Sequence, residues 1–107
     1  MKENVIQAKS YAFALRIVNV YRWLCEEKKE YVLSKQILRS GTSIGANVEE
    51  AIGGQSDKDF HSRLNIAYKE SRETRYWLRL LHDAKLMDDN AYESIIADCE
   101  ELVKILG

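Results

Sequence analysis

Residues 36–51 have the sequence Gln-Ile-Leu-Arg-Ser-Gly-Thr-Ser-Ile-Gly-Ala-Asn-Val-Glu-Glu-Ala, and the architecture of the chain follows from this stretch. Five of the seven residues at 40–46 are small, although each Gly inside a helix costs about 1 kcal/mol relative to Ala. Apolar or small residues nevertheless recur at four- and three-residue steps, which places one face of a helix at Leu33, Ile37, Gly41, Ile44, Val48 and Ile52. We therefore predict a helix whose small residues let another backbone come close.

A polar stripe lies about 100° around the same helix. Its members are Gln36, Ser40, Ser43, Asn47 and Glu50. Ser, Asn and Gln are poorer choices than Glu or Lys for a solvent-exposed helix face. Two interpretations stay open, an ordinary solvated face or a polar seam against another helix or subunit. The second assigns a helix-packing or oligomer-interface role to Ser40, Gly41, Ser43, Gly45, Asn47 and Glu50, and it predicts that both glycines tolerate bulk poorly.

Length and composition narrow the class of protein. The 107 residues fit a single domain, and a chain with no Pro and only five Gly should be nearly all helix. The net charge of −1 excludes a simple, strongly basic nucleic-acid-binding protein. The charge is uneven, with +4 over residues 1–48, zero over 49–85 and −5 over 86–107, and this asymmetry can orient helices or partners.

Periodicity predicts four helices, at about residues 7–28, 31–53, 57–85 and 89–106. We expect Gly53-Gly54 to stop the second helix through a left-handed glycine, and Ser56 and Asp88-Asp89-Asn90 to cap the next two. The first helix is apolar or aromatic over more than half its circumference, so it should be a central helix or have two partners. Short connections then predict an all-α, antiparallel up-down-up-down four-helix bundle in one domain, 1–107.

The third helix carries more than a core-facing seam. Trp77 and Leu80 lie away from that seam and predict a second contact surface, to which we assign the acids Glu70 and Glu73 as interface residues. A further stripe provides the candidate nucleic-acid contacts, Tyr68, Arg72, Arg75, Arg79 and His82. The alternative is that these arginines pair with Glu70, Glu73 or a neighbouring subunit's acids.

No pattern in the sequence indicates catalysis. His61 and His82 are 21 residues apart on one predicted helix, too far to share a metal, and no Cys-x-x-Cys or Gly-rich phosphate loop occurs. We expect no catalytic residue, cofactor, metal or small-molecule substrate, and hence a protein that is not an enzyme. No apolar run reaches 18 residues, and the sequence begins without a signal-peptide pattern. We therefore expect a cytoplasmic protein that does not bind membranes.

Two blocks of the sequence resemble a known family. Residues 40–51 look like the second-helix signature of the 23S rRNA-intervening-sequence proteins, also called the four-helix-bundle protein family. Asp59-Phe60, followed by residues 66–78, resembles the third-helix signature of one branch. The resemblance implies a four-helix bundle that assembles as a ring-shaped homopentamer.

A more distant similarity connects the chain to the accessory proteins of diversity-generating retroelements, which share the bundle and the pentamer and bind nucleic acid. Together the resemblances imply a self-associating, non-enzymatic protein with RNA or DNA as a candidate partner. The alternative is a structural protein–protein interaction module that binds no nucleic acid.

Overall fold

The structure, a computed structural model, describes residues 3–107, with side chains from Val5 onward. Four α-helices follow one another along the chain: α1 (Glu3–Glu27), α2 (Leu33–Ile52), α3 (Asp57–Asp83) and α4 (Asp89–Leu106). No β-strand occurs within 3–107.

Each helix packs against two neighbours. α2 lies beside α1 and α3, while α4 lies beside α3 and α1, and the backbones of the diagonal pairs are farther apart. Short connections between helices packed in this cyclic order give the predicted antiparallel up-down-up-down four-helix bundle, which measures 44 × 22 × 18 Å. The α2–α3 seam is the most densely packed of the four and the α1–α4 seam the sparsest.

The core is one apolar cluster to which all four helices contribute. Its buried members are Ile6, Phe13, Ile17, Leu24, Ile37, Ile44, Val48, Ala67, Leu78, Leu81, Met87, Ile95, Cys99 and Leu102. The predicted face of α2 lies within it, since Ile37, Ile44 and Val48 are fully buried. Burial raises the pKa of the Cys99 thiol to about 12, so this cysteine is a neutral core residue.

Two helix ends differ from expectation for reasons visible in the structure. α1 begins at Glu3 rather than near residue 7, because Ile6 is already a core residue. α3 ends at Asp83 rather than 85, because Lys85 adopts the left-handed conformation with φ 65°.

The start of α2 also differs, and its cap was missed. α2 begins at Leu33 instead of 31 because the Glu30 carboxylate accepts hydrogen bonds from the backbone N–H groups of Val32, Leu33 and Ser34, at 3.2, 3.0 and 2.7 Å. Sequence patterning treats Glu30 as part of a solvated charge run. It is instead the residue that satisfies the free donors at the N-terminus of α2.

The other expected caps are confirmed in part. The Ser56 hydroxyl accepts from the Asp59 N–H at 3.1 Å, and the Asp88 carboxylate accepts from the Ala91 N–H at 2.8 Å. The expected left-handed glycine is wrong, because Gly53 follows α2 with φ −82°. Its N–H bonds to the Glu49 carbonyl at 3.1 Å, so the helix ends without a change of handedness.

The uneven charge distribution is expressed at the α1–α4 seam. Lys9 pairs with Glu101 at 3.1 Å, and Arg16 pairs with Asp98 at 2.6 Å. Two basic residues of α1 therefore pair with two acids of α4, the helix that lies in the acidic last part of the sequence.

Candidate functional site

The small residues of α2 bring α1 close. A Cβ atom added at Gly41 would lie 2.7 Å from both Cγ1 and Cγ2 of Ile17, so the two helices meet there at the distance that glycine permits. At Gly45 an added Cβ would lie 3.4 Å from the Ser10 carbonyl oxygen, an ordinary contact. Close packing between α1 and α2 thus requires glycine at position 41, whereas position 45 has room for a Cβ atom.

The polar stripe of α2 faces α3. Ser40 is buried and accepts a hydrogen bond from the Thr74 hydroxyl at 3.0 Å. Further along, Glu50 pairs with Arg63 at 3.4 Å. Ser43 and Asn47 are half-buried, and each donates to a carbonyl one turn earlier in α2, at 2.6 and 2.8 Å. Of the residues predicted to lie at an interface, Ser40 and Glu50 therefore make polar contacts between α2 and α3 of the same chain.

The acids predicted at the α3 interface share one partner on α2. The Arg39 guanidinium contacts Glu70 at 3.3 Å and also pairs with Glu73. The Trp77 indole N–H donates to Glu73 at 2.9 Å, and its ring packs against the core. Leu80 is half-buried. These side chains form an ordered cluster along the α2–α3 seam and leave little of Trp77 for a separate surface.

Two members of the predicted nucleic-acid stripe are held by acids near or on α4. Arg75 lies 3.4 Å from Glu100. His82 Nε2 lies 2.6 Å from Asp89 Oδ1, and its ring stacks on Tyr92 with centroids 4.2 Å apart. The hydrogen bond to Asp89 raises the pKa of His82, partial burial lowers it, and a second bond to Asp83 raises it, with a net increase.

The outward face of α3 carries a different row of side chains, which we call the α3 outer row: Lys69, Arg72, Tyr76 and Arg79. All four are exposed, and within residues 3–107 none of its three cations pairs with a carboxylate. Arg72 lies over the half-buried ring of Tyr68, 5.8 Å from its centroid. The row borders a shallow depression of about 420 Å³. Glu73 and Arg75 also line it, so the depression is an electropositive surface bordered by all three arginines of the predicted stripe.

Lys69 and Tyr76 were not among the predicted site residues. The spacing 69, 72, 76, 79 follows three- and four-residue steps, so the signal for a shared face was present in the sequence. It could have been found by asking which side of α3 points away from α2 and α4.

One group of exposed apolar side chains lies on α1. Val5, Tyr11 and Leu15 are 40%, 66% and 52% exposed, and Ala8 and Ala12 lie exposed among them. We call these five residues the α1 apolar face. Tyr11 also borders a groove of about 270 Å³ whose other wall is the small-residue stretch of α2. α1 thus keeps an uncovered apolar surface in addition to its contacts with α2 and α4.

Among residues 3–107, no group of three or more His, Cys, Asp or Glu side chains is arranged to hold a metal ion. In the same part of the chain, no helix is both long and apolar enough to cross a bilayer.

The fold and its surfaces define a small all-α bundle whose helices present one apolar and one cationic outward face. The chain belongs to the 23S rRNA-intervening sequence protein family, whose sequence profile matches residues 2–107. It is also similar to a crystal structure described as a protein with unknown function from the S23 ribosomal protein family of Bacteroides thetaiotaomicron VPI-5482. The two chains are 56% identical, with a TM-score of 0.96 over 99% of this chain and 95% of the other. No curated protein matches the chain.

Proposed function

We propose that this protein is a non-enzymatic, self-associating four-helix bundle whose copies contact one another through the α1 apolar face. The observation that carries the proposal is the exposure of Tyr11 and Leu15, with Val5, on one side of α1. Exposed apolar side chains gathered on one face commonly mark a protein–protein contact. The adjoining groove with α2 offers a complementary concave surface.

The assembly we propose is a ring of five copies. The number five comes from the family resemblance. The physical requirement is that one patch contacts a different patch on the next copy, and that the rotation between copies closes. The α1 apolar face and the outward sides of the other helices are different surfaces, which suits such a contact.

Light scattering on purified protein tests self-association. We expect the wild-type chain to have an oligomeric mass at micromolar concentration, and the variant with both Tyr11→Glu and Leu15→Glu to have the monomer mass of 12.4 kDa. Tyr31→Glu is the matched control, because Tyr31 is equally aromatic and 53% exposed but lies in the α1–α2 connection. A monomeric wild type would reject the proposal.

We further propose that the assembly binds RNA or DNA through the α3 outer row. Its cations are exposed and lack carboxylate partners within residues 3–107, so they are available to phosphates. Tyr76, which is 55% exposed, can stack on an unpaired base. Repetition of the row around a ring would place a basic band on a protein of net charge −1.

The test of nucleic-acid binding compares two triple variants that lose the same charge. Lys69→Gln, Arg72→Gln and Arg79→Gln together should abolish binding of single-stranded RNA while the oligomer mass stays unchanged. Arg22→Gln, Lys29→Gln and Lys35→Gln together should leave binding within about threefold, because a phosphate contact acts locally. Binding by wild type should weaken steeply as salt is raised.

The second candidate function is a structural protein–protein interaction module without nucleic acid. It is favoured by the contacts of Arg75 with Glu100 and of His82 with Asp89, which give two members of the predicted stripe acidic partners within the chain. A wild-type oligomer that fails to bind RNA or DNA even at low salt would support this candidate over the first.

A further inference from the structure

The bundle has a cleft where its packing is sparsest. The seam between α1 and α4 opens into a cavity of about 330 Å³, and a second depression of about 300 Å³ shares Trp23, Met87 and Asp88 with it. The two therefore adjoin and make up one recessed region beside the α3–α4 connection. We call it the α1–α4 cleft, and its size is within the range of small-molecule sites.

The floor of the α1–α4 cleft is apolar. Met87 and Ile95 are core residues, 4% and 2% exposed, whose side chains line the cavity. Val20 and Trp23 are half-buried and complete the floor from the α1 side. An aliphatic or aromatic ligand body would cover these side chains and release water from them.

One end of the cleft is cationic. Lys28 and Lys85 line it, and the Lys28 ammonium lies 5.4 Å from the centroid of the Trp23 ring. Within residues 3–107, neither lysine pairs with a carboxylate. Neither ammonium is therefore held in a direct ion pair, although Lys85 lies close enough to Asp89 to lower the pKa of that carboxyl.

The acids at the same end already have partners. Asp88 caps α4 through the Ala91 N–H at 2.8 Å, and Asp89 bonds to His82 at 2.6 Å. At the opposite end, the Arg16 guanidinium is occupied by Asp98 at 2.6 Å and by the Ser94 hydroxyl at 2.9 Å. Among the described side chains that line this end, the two lysines are thus the charged groups without a hydrogen-bonded partner, and they adjoin the apolar floor.

We propose that the α1–α4 cleft binds a small amphipathic carboxylate. The carboxylate lies between Lys28 and Lys85, and the aliphatic or aromatic body covers Trp23, Val20 and Ile95. None of these residues belongs to the α1 apolar face or the α3 outer row, so the proposal stands apart from self-association and nucleic-acid binding.

The two tryptophans provide a direct test with an internal reference. Trp23 lines the cleft, whereas Trp77 lies at the α2–α3 seam beside Glu73. In indole N–H NMR spectra of the full chain titrated with octanoate, we expect the Trp23 signal to shift saturably and the Trp77 signal to stay. Octylamine, with the same chain and opposite charge, should bind at least tenfold more weakly.

Matched variants locate the site. Ala91 is an exposed residue at the cleft, and Ala97 is an exposed residue elsewhere on α4. Ala91→Phe should weaken octanoate binding at least tenfold, while Ala97→Phe should leave it unchanged. The pair Lys28→Gln and Lys85→Gln should also weaken binding tenfold, while Lys29→Gln with Lys35→Gln should not.

Three results would overturn the proposal. They are a Trp23 signal that does not respond to millimolar octanoate, octylamine binding as tight as octanoate, and unchanged octanoate affinity in the Lys28 and Lys85 double variant. The lysine pair is on the surface, so this last arm remains decisive even if Ala91→Phe does not fold.

Discussion

Gly41 and Gly45 occupy equivalent-looking positions in the sequence but have different surroundings. An alanine Cβ at Gly41 would lie 2.7 Å from two carbons of Ile17, a fully buried side chain that cannot move aside freely. We expect Gly41→Ala to lower the free energy of unfolding by about 1–3 kcal/mol through overpacking. Urea denaturation monitored by circular dichroism measures this change in the free energy of unfolding.

Gly45→Ala serves as the internal comparison. Its Cβ would make an ordinary 3.4 Å contact with the Ser10 carbonyl oxygen, so relief of glycine's low helix propensity should dominate. We expect an unchanged or raised stability, by up to about 1 kcal/mol. Equal destabilisation by the two alanine variants would contradict this distinction.

His82 should make stability depend on pH. Its folded-state pKa is raised, chiefly by Asp89 and further by Asp83, while burial acts in the opposite direction. The stabilisation is therefore fully present below the ordinary pKa of 6.5 and is lost as pH rises through the higher folded-state value. The difference in unfolding free energy between wild type and His82→Gln should be larger at acidic than at alkaline pH.

His61 provides the control for that measurement. It is exposed and lies in the first turns of the same helix, near Phe60. A pH dependence for His61→Gln as large as that for His82→Gln would show that the effect does not come from the Asp89 bond. Lys85, which lies close enough to lower the pKa of Asp89, should be kept in every variant.

Single helices owe part of their stability to their ends, and α2 depends on Glu30. Burial raises the pKa of this carboxyl, but three backbone N–H donors outweigh it and lower the pKa overall. We expect Glu30→Ala to cost about 1–2 kcal/mol, the usual loss for a removed N-cap. Glu27→Ala, from the same charge run, should change stability by less than about 0.5 kcal/mol.

The stabilisation that Glu30 provides should also depend on pH. Because the folded-state pKa is lowered, the stabilisation is present above the ordinary value of 4.5 and is lost as pH falls through the lower folded-state value. Thermal melts of wild type and Glu30→Ala should therefore converge in strong acid. A constant difference at every pH would mean that packing, rather than the carboxylate, supports this helix end.

Helix patterning predicts elements better than it predicts partners. The spacing of Ile37, Ile44 and Val48 places them on the core face of α2, because one helical period requires it. The rotation of one helix about its neighbour is set by packing of the whole bundle. Arg75 and His82 therefore share a stripe on α3 with Arg72, yet they turn to acids near or on α4 while Arg72 faces outward. The sequence identifies a stripe on α3, but which of its side chains face outward depends on how α3 packs in the bundle.

Oppositely charged residues from the first and last helices meet at the α1–α4 seam. The pairs Lys9–Glu101 and Arg16–Asp98 are partly exposed, so each should contribute about 0–1 kcal/mol and less at high salt. We expect Lys9→Gln with Arg16→Gln to destabilise the protein at low salt and to approach wild type in molar salt. Arg22→Gln with Lys35→Gln, which leaves the seam intact, should show a smaller salt-dependent difference in denaturant midpoint.

Because the four seams of the bundle differ in packing density, we expect its helices to open to solvent in a definite order. Backbone amides exchange with solvent through local fluctuations, and regions with few buried contacts open at lower free energy than the core. The α2–α3 hairpin, joined by the densest packing and the Ser40–Thr74 bond, should retain its deuterium-protected amides longest. α4, which meets α1 only sparsely, should be the first helix to exchange as a unit. A ligand held between α1 and α4 would slow that exchange selectively, whereas one bound on the outward face of α3 would not.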